Sequence, residues 1–116
     1  MDIYHIWCAL KPGIGDLDFA DTVSRYFDHL KDDGRLAGYR VTRRKLGLGH
    51  PALPEWHIMA EFEGLEQLDK AFDQVASRSD PVEGFHHAVN SKVAEVSFAL
   101  YRDFPDPQRQ RGEEKF

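Results

Sequence analysis

The chain alternates between segments with a two-residue apolar period and segments with a helical period. Ile3, Tyr4, His5, Ile6, Trp7, Cys8, Ala9 and Leu10 form a run dense in β-branched and aromatic side chains that stops at Lys11, Pro12 and Gly13. That is a strand closed by turn residues. Asp16 and Asp18 come next, placed to cap a helix with a carboxylate. From there Phe19, Val23, Tyr26, Phe27 and Leu30 recur on one helical stripe, with Asp21, Arg25, Asp28 and Lys31 off it. Asp33 and Gly34 supply a helix stop. Residues 37–46 predict a polar strand, Tyr39 and Val41 alternating with Arg40, Thr42 and Arg44. Such a composition suits a sheet edge, where charge discourages stray pairing. A glycine- and proline-rich loop spans 47–54. Residues 55–63 alternate cleanly: Trp56, Ile58, Ala60 and Phe62 on one side, His57, Met59, Glu61 and Glu63 on the other. Gly64 opens a second helix carrying Leu65, Leu68, Phe72 and Val75, broken at Ser79, Asp80 and Pro81. Residues 82–93 predict a short helix with Val82, Phe85, Val89 and Val93 near one face. Residues 94–103 predict a last strand, Val96, Phe98 and Leu100 alternating with Ser97, Ala99 and Tyr101.

The order is strand-helix-strand, then strand-helix-helix-strand. Two such halves make the α+β split βαβ, or ferredoxin-like, arrangement. Right-handed crossovers put the helices on one face of a four-stranded antiparallel sheet. The expected strand order is 4-1-3-2, with the polar second strand at an edge. The domain spans residues 1–104. Residues 105–116, with two prolines and many charges, are expected to be an extended or disordered tail. On the helix side should lie Tyr4, Ile6, Cys8 and Leu10, the Trp56 set, and Val96, Phe98 and Leu100. The other face then carries Ile3, His5, Trp7, His57, Met59, Glu61, Ser97, Ala99 and Tyr101, joined by Arg40, Thr42 and Arg44. It is too apolar for bare solvent and too polar for a dry core, the mark of an interface or ligand cavity. The simplest cover is a second copy of the same sheet, a two-fold homodimer.

Composition narrows the function classes. The 116 residues hold 15 Lys and Arg against 20 Asp and Glu, a net charge of −5. No basic footprint for nucleic acid is present. No run approaches the ~18 apolar residues of a membrane span, and Met1 to His5 has no leader-like character. A cytoplasmic protein with neither nucleic-acid nor membrane partner is expected. Cys8 is the only cysteine, so an intrachain disulfide and a cysteine-based zinc site are excluded, and Cys8 should pack as a small apolar group. No metal or cofactor is expected, for want of standard histidine spacing.

The element order, the run Glu61, Phe62, Glu63, Gly64, Leu65, Glu66, Gln67 entering the second helix, and the run Asp80, Pro81, Val82, Glu83, Gly84, Phe85, His86, His87 before the last strand resemble the dimeric α/β-barrel superfamily. The resemblance covers residues 2 to about 104. The closing Leu100, Tyr101, Arg102, Asp103, Phe104, Pro105 looks like that of the superfamily's uncharacterised bacterial families. The superfamily includes monooxygenases that work without a cofactor and haem-degrading members. It implies a functional histidine in the last short helix, a position His86 or His87 matches. The haem-degrading pattern also wants a Trp where Phe62 stands and an Asn on the first strand, which reads His5, Ile6, Trp7, Cys8. Haem degradation is therefore disfavoured.

The candidate catalytic residues are His86 and His87, with His5 or Tyr101 as a second proton-transfer group. Trp7, His57, Met59, Glu61 and Arg40 are candidate ligand-binding residues on the uncovered face. His5, His57 and Glu61 are the one set that metal chemistry could use. Three function classes stay open: a small-molecule-binding protein, a cofactor-independent monooxygenase or isomerase, and a structural interaction domain. A pocket, if present, is expected between sheet and helices near residues 82–90, since short elements on a rigid scaffold aim polar groups well.

Overall fold

The computed structural model describes residues 1–107 and 109–112. Seven elements run β1 (Asp2–Leu10), α1 (Asp16–Asp32), β2 (Gly38–Arg43), β3 (Trp56–Phe62), α2 (Leu65–Ala76), α3 (Val82–Asn90) and β4 (Val93–Arg102). The sheet order is β2-β3-β1-β4, every pairing antiparallel, with β1 and β3 central as the patterning predicts. Ile6 stands opposite both Ile58 and Phe98, and His5 opposite both Met59 and Ala99. That register puts the two predicted residue sets on the two predicted faces, because a strand's side chains alternate strictly.

Helix α1 closes the core. Phe19, Val23, Tyr26, Phe27 and Leu30 are buried on its sheet-facing stripe, against Trp56, Ile58, Ala60 and Phe62 of β3 and Cys8 of β1. Phe19 meets the Trp56 ring edge-on at 5.1 Å. The far side of Trp56 is capped by the Arg43 guanidinium, 5.0 Å from the ring centre, which is itself held by Glu55 at 2.9 Å and Asp16 at 3.1 Å. Burial of side chains this large supplies roughly 2–3 kcal/mol each. It explains why one continuous stripe on one helix is enough to fix this half of the molecule.

Several sequence expectations are corrected. The α1 N-cap is Gly15, whose carbonyl accepts the first helical bond from Phe19 at 3.0 Å; no side chain caps it. Asp16 and Asp18 sit inside the first turn, where their charge favours the positive end of the helix dipole. The polar strand stops at Arg43, short of residue 46, as Leu46 and Gly47 turn the chain through positive φ. The third helix ends at Asn90, three residues early: Ser91 donates back to the His87 carbonyl and Val93 already pairs with Leu10.

The largest correction concerns β4. Val96, Phe98 and Leu100 do face the helix side, yet Phe98 is 59% exposed and Leu100 51%. On α2 only Ala71 is buried, and Phe72 on its apolar stripe is 45% exposed. A bulge between the Trp7 and Ala9 pairings, with Glu95 at φ 52°, bends the start of β4, and α2 and α3 stand off its outer half. Past β4, Asp106 pairs locally with Arg102 at 3.3 Å and with Arg109 at 3.0 Å. The remainder of the predicted tail, Gln108 and residues 113–116, lies outside the described residues.

Candidate functional site

The gap left on the helix side is a cleft of about 460 Å³ between the sheet and all three helices. Its floor is the helix face of β1, β3 and β4, and its roof is α1, α2 and α3. At its open side the Tyr4 ring stacks nearly parallel on Phe98, centroids 5.6 Å apart, and takes the edge of Phe72 at 5.3 Å. The wall is mostly hydrocarbon, Tyr4 and Cys8 adding a hydroxyl and a thiol, and at one end Tyr26 of α1 meets His86 and Asn90 of α3. The Tyr26 and His86 rings touch edge-on at 6.1 Å.

The Tyr26 hydroxyl, the His86 imidazole and the Asn90 amide form no hydrogen bond with any described residue. Tyr26 is only 7% exposed. Its ring is buried, while its hydroxyl reaches the open cleft rather than a sealed core. Burial pushes its pKa up to about 12, with the Glu83 carboxylate adding to the effect. At neutral pH Tyr26 is therefore a hydrogen-bond donor, not an anion. Cys8, also on the wall, is driven the same way, to about 11, by burial. Its thiol is inert, in keeping with a packing role.

The cleft continues past His86 and Asn90 into a smaller annex of about 320 Å³, which adds Arg78, Glu83 and His87. His86 thus lies where a pocket was expected, and His87 one step further out. Tyr26, Asn90 and Phe98 were not singled out from the sequence. Tyr26 sits on an otherwise hydrocarbon stripe, and its hydroxyl is the one signal that could have marked it.

The opposite sheet face gathers the other candidates. His5 Nδ1 and His57 Nε2 are 2.8 Å apart, one imidazole donating to the other. Trp7 stacks on His57 at 4.6 Å, and Tyr101 presents its edge to His5 at 4.9 Å. Thr42 donates to the His57 carbonyl at 2.6 Å. Met59 lies opposite His5 on β1 and Arg40 on β2, and Glu61 opposite Ile3 and Gly38. Burial lowers both histidine pKa values, and His5 lowers that of His57 further. The structure therefore joins His5, His57, Trp7 and Tyr101. It does not join them to His86 and His87, which the sheet places on its other side. Tyr26 stands beside His86, where the sequence reading had put Tyr101 or His5. Among the described residues no group of three or more His, Cys, Asp and Glu side chains could hold a metal, so Glu61 does not complete a set with the two histidines. No helix among them is long and apolar enough to cross a membrane.

Solved structures share this architecture. The protein At3g17210 of Arabidopsis thaliana superimposes with a TM-score of 0.71 at 10% identity, over 89% of this chain and 95% of that one. A variant of SnoaB, a cofactor-independent oxygenase from Streptomyces nogalater, gives 0.65 at 6% identity, over 93% and 98%. A dimeric ferredoxin-like protein of unknown function from Jannaschia sp. CCS1 gives 0.62 at 11% identity, over 89% and 100%. At these identities the likeness is one of fold, and the α+β ferredoxin-like class read from the sequence is borne out. No curated protein matches the sequence. A family model matches the whole chain, residues 1–116, and the protein belongs to that family, a family of unknown function (DUF6614).

Proposed function

We propose that this protein binds a small, largely apolar molecule in the cleft between sheet and helices. One observation carries the reading: three polar side chains, Tyr26, His86 and Asn90, meet at one end of an open hydrocarbon cleft with no partner among the described residues. A cleft of this size with a mostly apolar lining would bury much of a small apolar molecule's surface. The Tyr26 donor and the Asn90 amide would orient the molecule, and the Tyr4, Phe72 and Phe98 rings would cover it. The test is native mass spectrometry of the purified protein against a small-molecule library, with amide chemical shifts locating each hit. Hits should shift Tyr26, His86 and Phe98. Hits that move only the opposite sheet face would place the site there instead.

The working unit in this reading is a homodimer. The face bearing Trp7, Met59 and Tyr101 has no helix over it, and proteins of this fold from Jannaschia sp. CCS1 and Bacteroides fragilis are described as dimeric. A second copy of the same sheet would cover it by two-fold symmetry.

A second reading is a cofactor-independent monooxygenase or isomerase, with His86 as the proton-transfer group. The contact of His86 with Tyr26 in an apolar wall favours it, and the fold likeness to SnoaB is compatible with it. Turnover of a bound hit that His86→Ala abolishes while binding persists would select this reading. A purely structural domain would show neither binding nor turnover.

A further inference from the structure

The annex next to the cleft suggests the chemistry of the ligand's polar end. Arg78 lines it and is the one Lys or Arg on the wall of either cavity. Its guanidinium makes no ion pair and no hydrogen bond with any described residue. Arg78 also occupies an unusual backbone position. It follows the α2 C-cap, donates its N–H to the Val75 carbonyl at 3.1 Å, and has a φ of 53°. This is the left-handed closing position of a helix, where glycine fits without steric cost and a side chain does not. Leu46 and Glu95 also have positive φ, so the conformation alone marks nothing. What sets Arg78 apart is an unpaired cation beside a polar cavity that opens into an apolar one.

We propose that the site takes an amphipathic carboxylate, its apolar body in the cleft and its carboxylate in the annex on Arg78, with His87 and Asn90 beside it. This rests on the reading of the cleft as a binding site and adds the charge of the ligand. A planar guanidinium matches a carboxylate with two parallel hydrogen bonds. Glu83 is the opposing charge on the annex wall.

The test compares 4-phenylbutyrate with 4-phenylbutanamide, which share a body and differ in charge, by calorimetry and amide chemical shifts. The carboxylate should bind about tenfold tighter, since a hydrogen bond to a charged group outweighs a neutral one by about that factor. Arg78→Gln and Arg78→Gly should both erase the preference while leaving the amide's affinity in place, and Arg78→Lys should keep most of it. Arg78→Gly should hold or raise the melting temperature, which excludes unfolding as the cause. Equal binding of the two probes, or a preference that survives Arg78→Gln, overturns the anionic head and leaves the cleft reading standing. If neither probe binds or shifts any cleft residue, both fall together.

Discussion

Phe19 and Phe98 lie in the same layer of the molecule, on the helix side of one sheet. Phe19 is completely buried and Phe98 is 59% exposed. Over β3 and the inner half of β1, a single helix with five large apolar side chains packs down onto the sheet, and the same side chains form the inner end of the cleft. Over the outer half of β1 and β4, two shorter helices carry equally apolar stripes, Leu65, Leu68 and Phe72 on one and Val82, Phe85 and Val89 on the other, and of these six only Val82 is buried. Hydrophobicity is similar in the two halves, so patterning does not account for the difference. The geometry of α2 and α3 relative to the bulged start of β4 does. The buried inner end of the cleft supplies stability, and its open outer end is free to hold something else.

Substitution can break this contrast. Phe19→Ala should cost about 3–5 kcal/mol, as truncation of a fully packed ring does, and Phe98→Ala less than ~1 kcal/mol, because Phe98 gives up few contacts on a half-open wall. Chemical denaturation of both variants measures this. Equal losses would mean that the open half is packed in solution and that the cleft does not exist there.

The third surface, the face bearing the two paired histidines, extends the comparison. Trp7→Asp would place a charge where a partner sheet is expected, with no counter-charge prepared. Association should weaken by at least ~100-fold, roughly 3 kcal/mol. Light scattering at micromolar concentration should find a dimer for the parent protein and a monomer for the variant. A parent protein that is monomeric at that concentration sinks the dimer.

The sheet order, both faces and the α1 core could be read from the sequence because each rests on a period: two for strands, 3.6 for helices. The pairing of His5 with His57 followed from the same alternation once the strands were adjacent. The cleft was legible only in part. His86 stood out because adjacent histidines interrupt an apolar stripe, whereas Tyr26, on a stripe that is truly buried, did not. Whether an apolar stripe meets its neighbour depends on the distance between helix and sheet, and no periodicity encodes that. The Asp16 cap failed for a smaller reason of the same kind. Asp16 and Gly15 are both acceptable N-caps, and the turn that sets the choice is decided by backbone geometry.

His86→Ala should separate the two kinds of role. As an edge contact to Tyr26 with no hydrogen bond to a described residue, His86 should contribute under ~1 kcal/mol to folding. As part of the polar end of the cleft, its loss should weaken a located ligand about tenfold. A variant that loses several degrees of melting temperature and binds unchanged would make His86 structural.

The smallest expected effect is a pH dependence on the opposite face. His5 and His57 both have pKa values lowered below the usual ~6.5, first by burial and, for His57, also by its neighbour. The unfolded chain then takes up protons before the folded one. Between the lowered values and ~6.5 the unfolded state binds more protons, so stability rises with pH across that window. The contribution is fully present above about pH 6.5 and is lost as the pH falls through the folded values. Physically, a second proton on the pair would set two cations 2.8 Å apart under the Trp7 ring. Melting temperatures between pH 8 and pH 5 should fall on the acid side. His5→Phe, which keeps a ring against Trp7 and Tyr101 but removes one titrating group and the neighbouring charge, should flatten that fall. If it leaves the slope unchanged, the acid sensitivity belongs to carboxylates elsewhere, and the histidine pair is only a packing contact between strands.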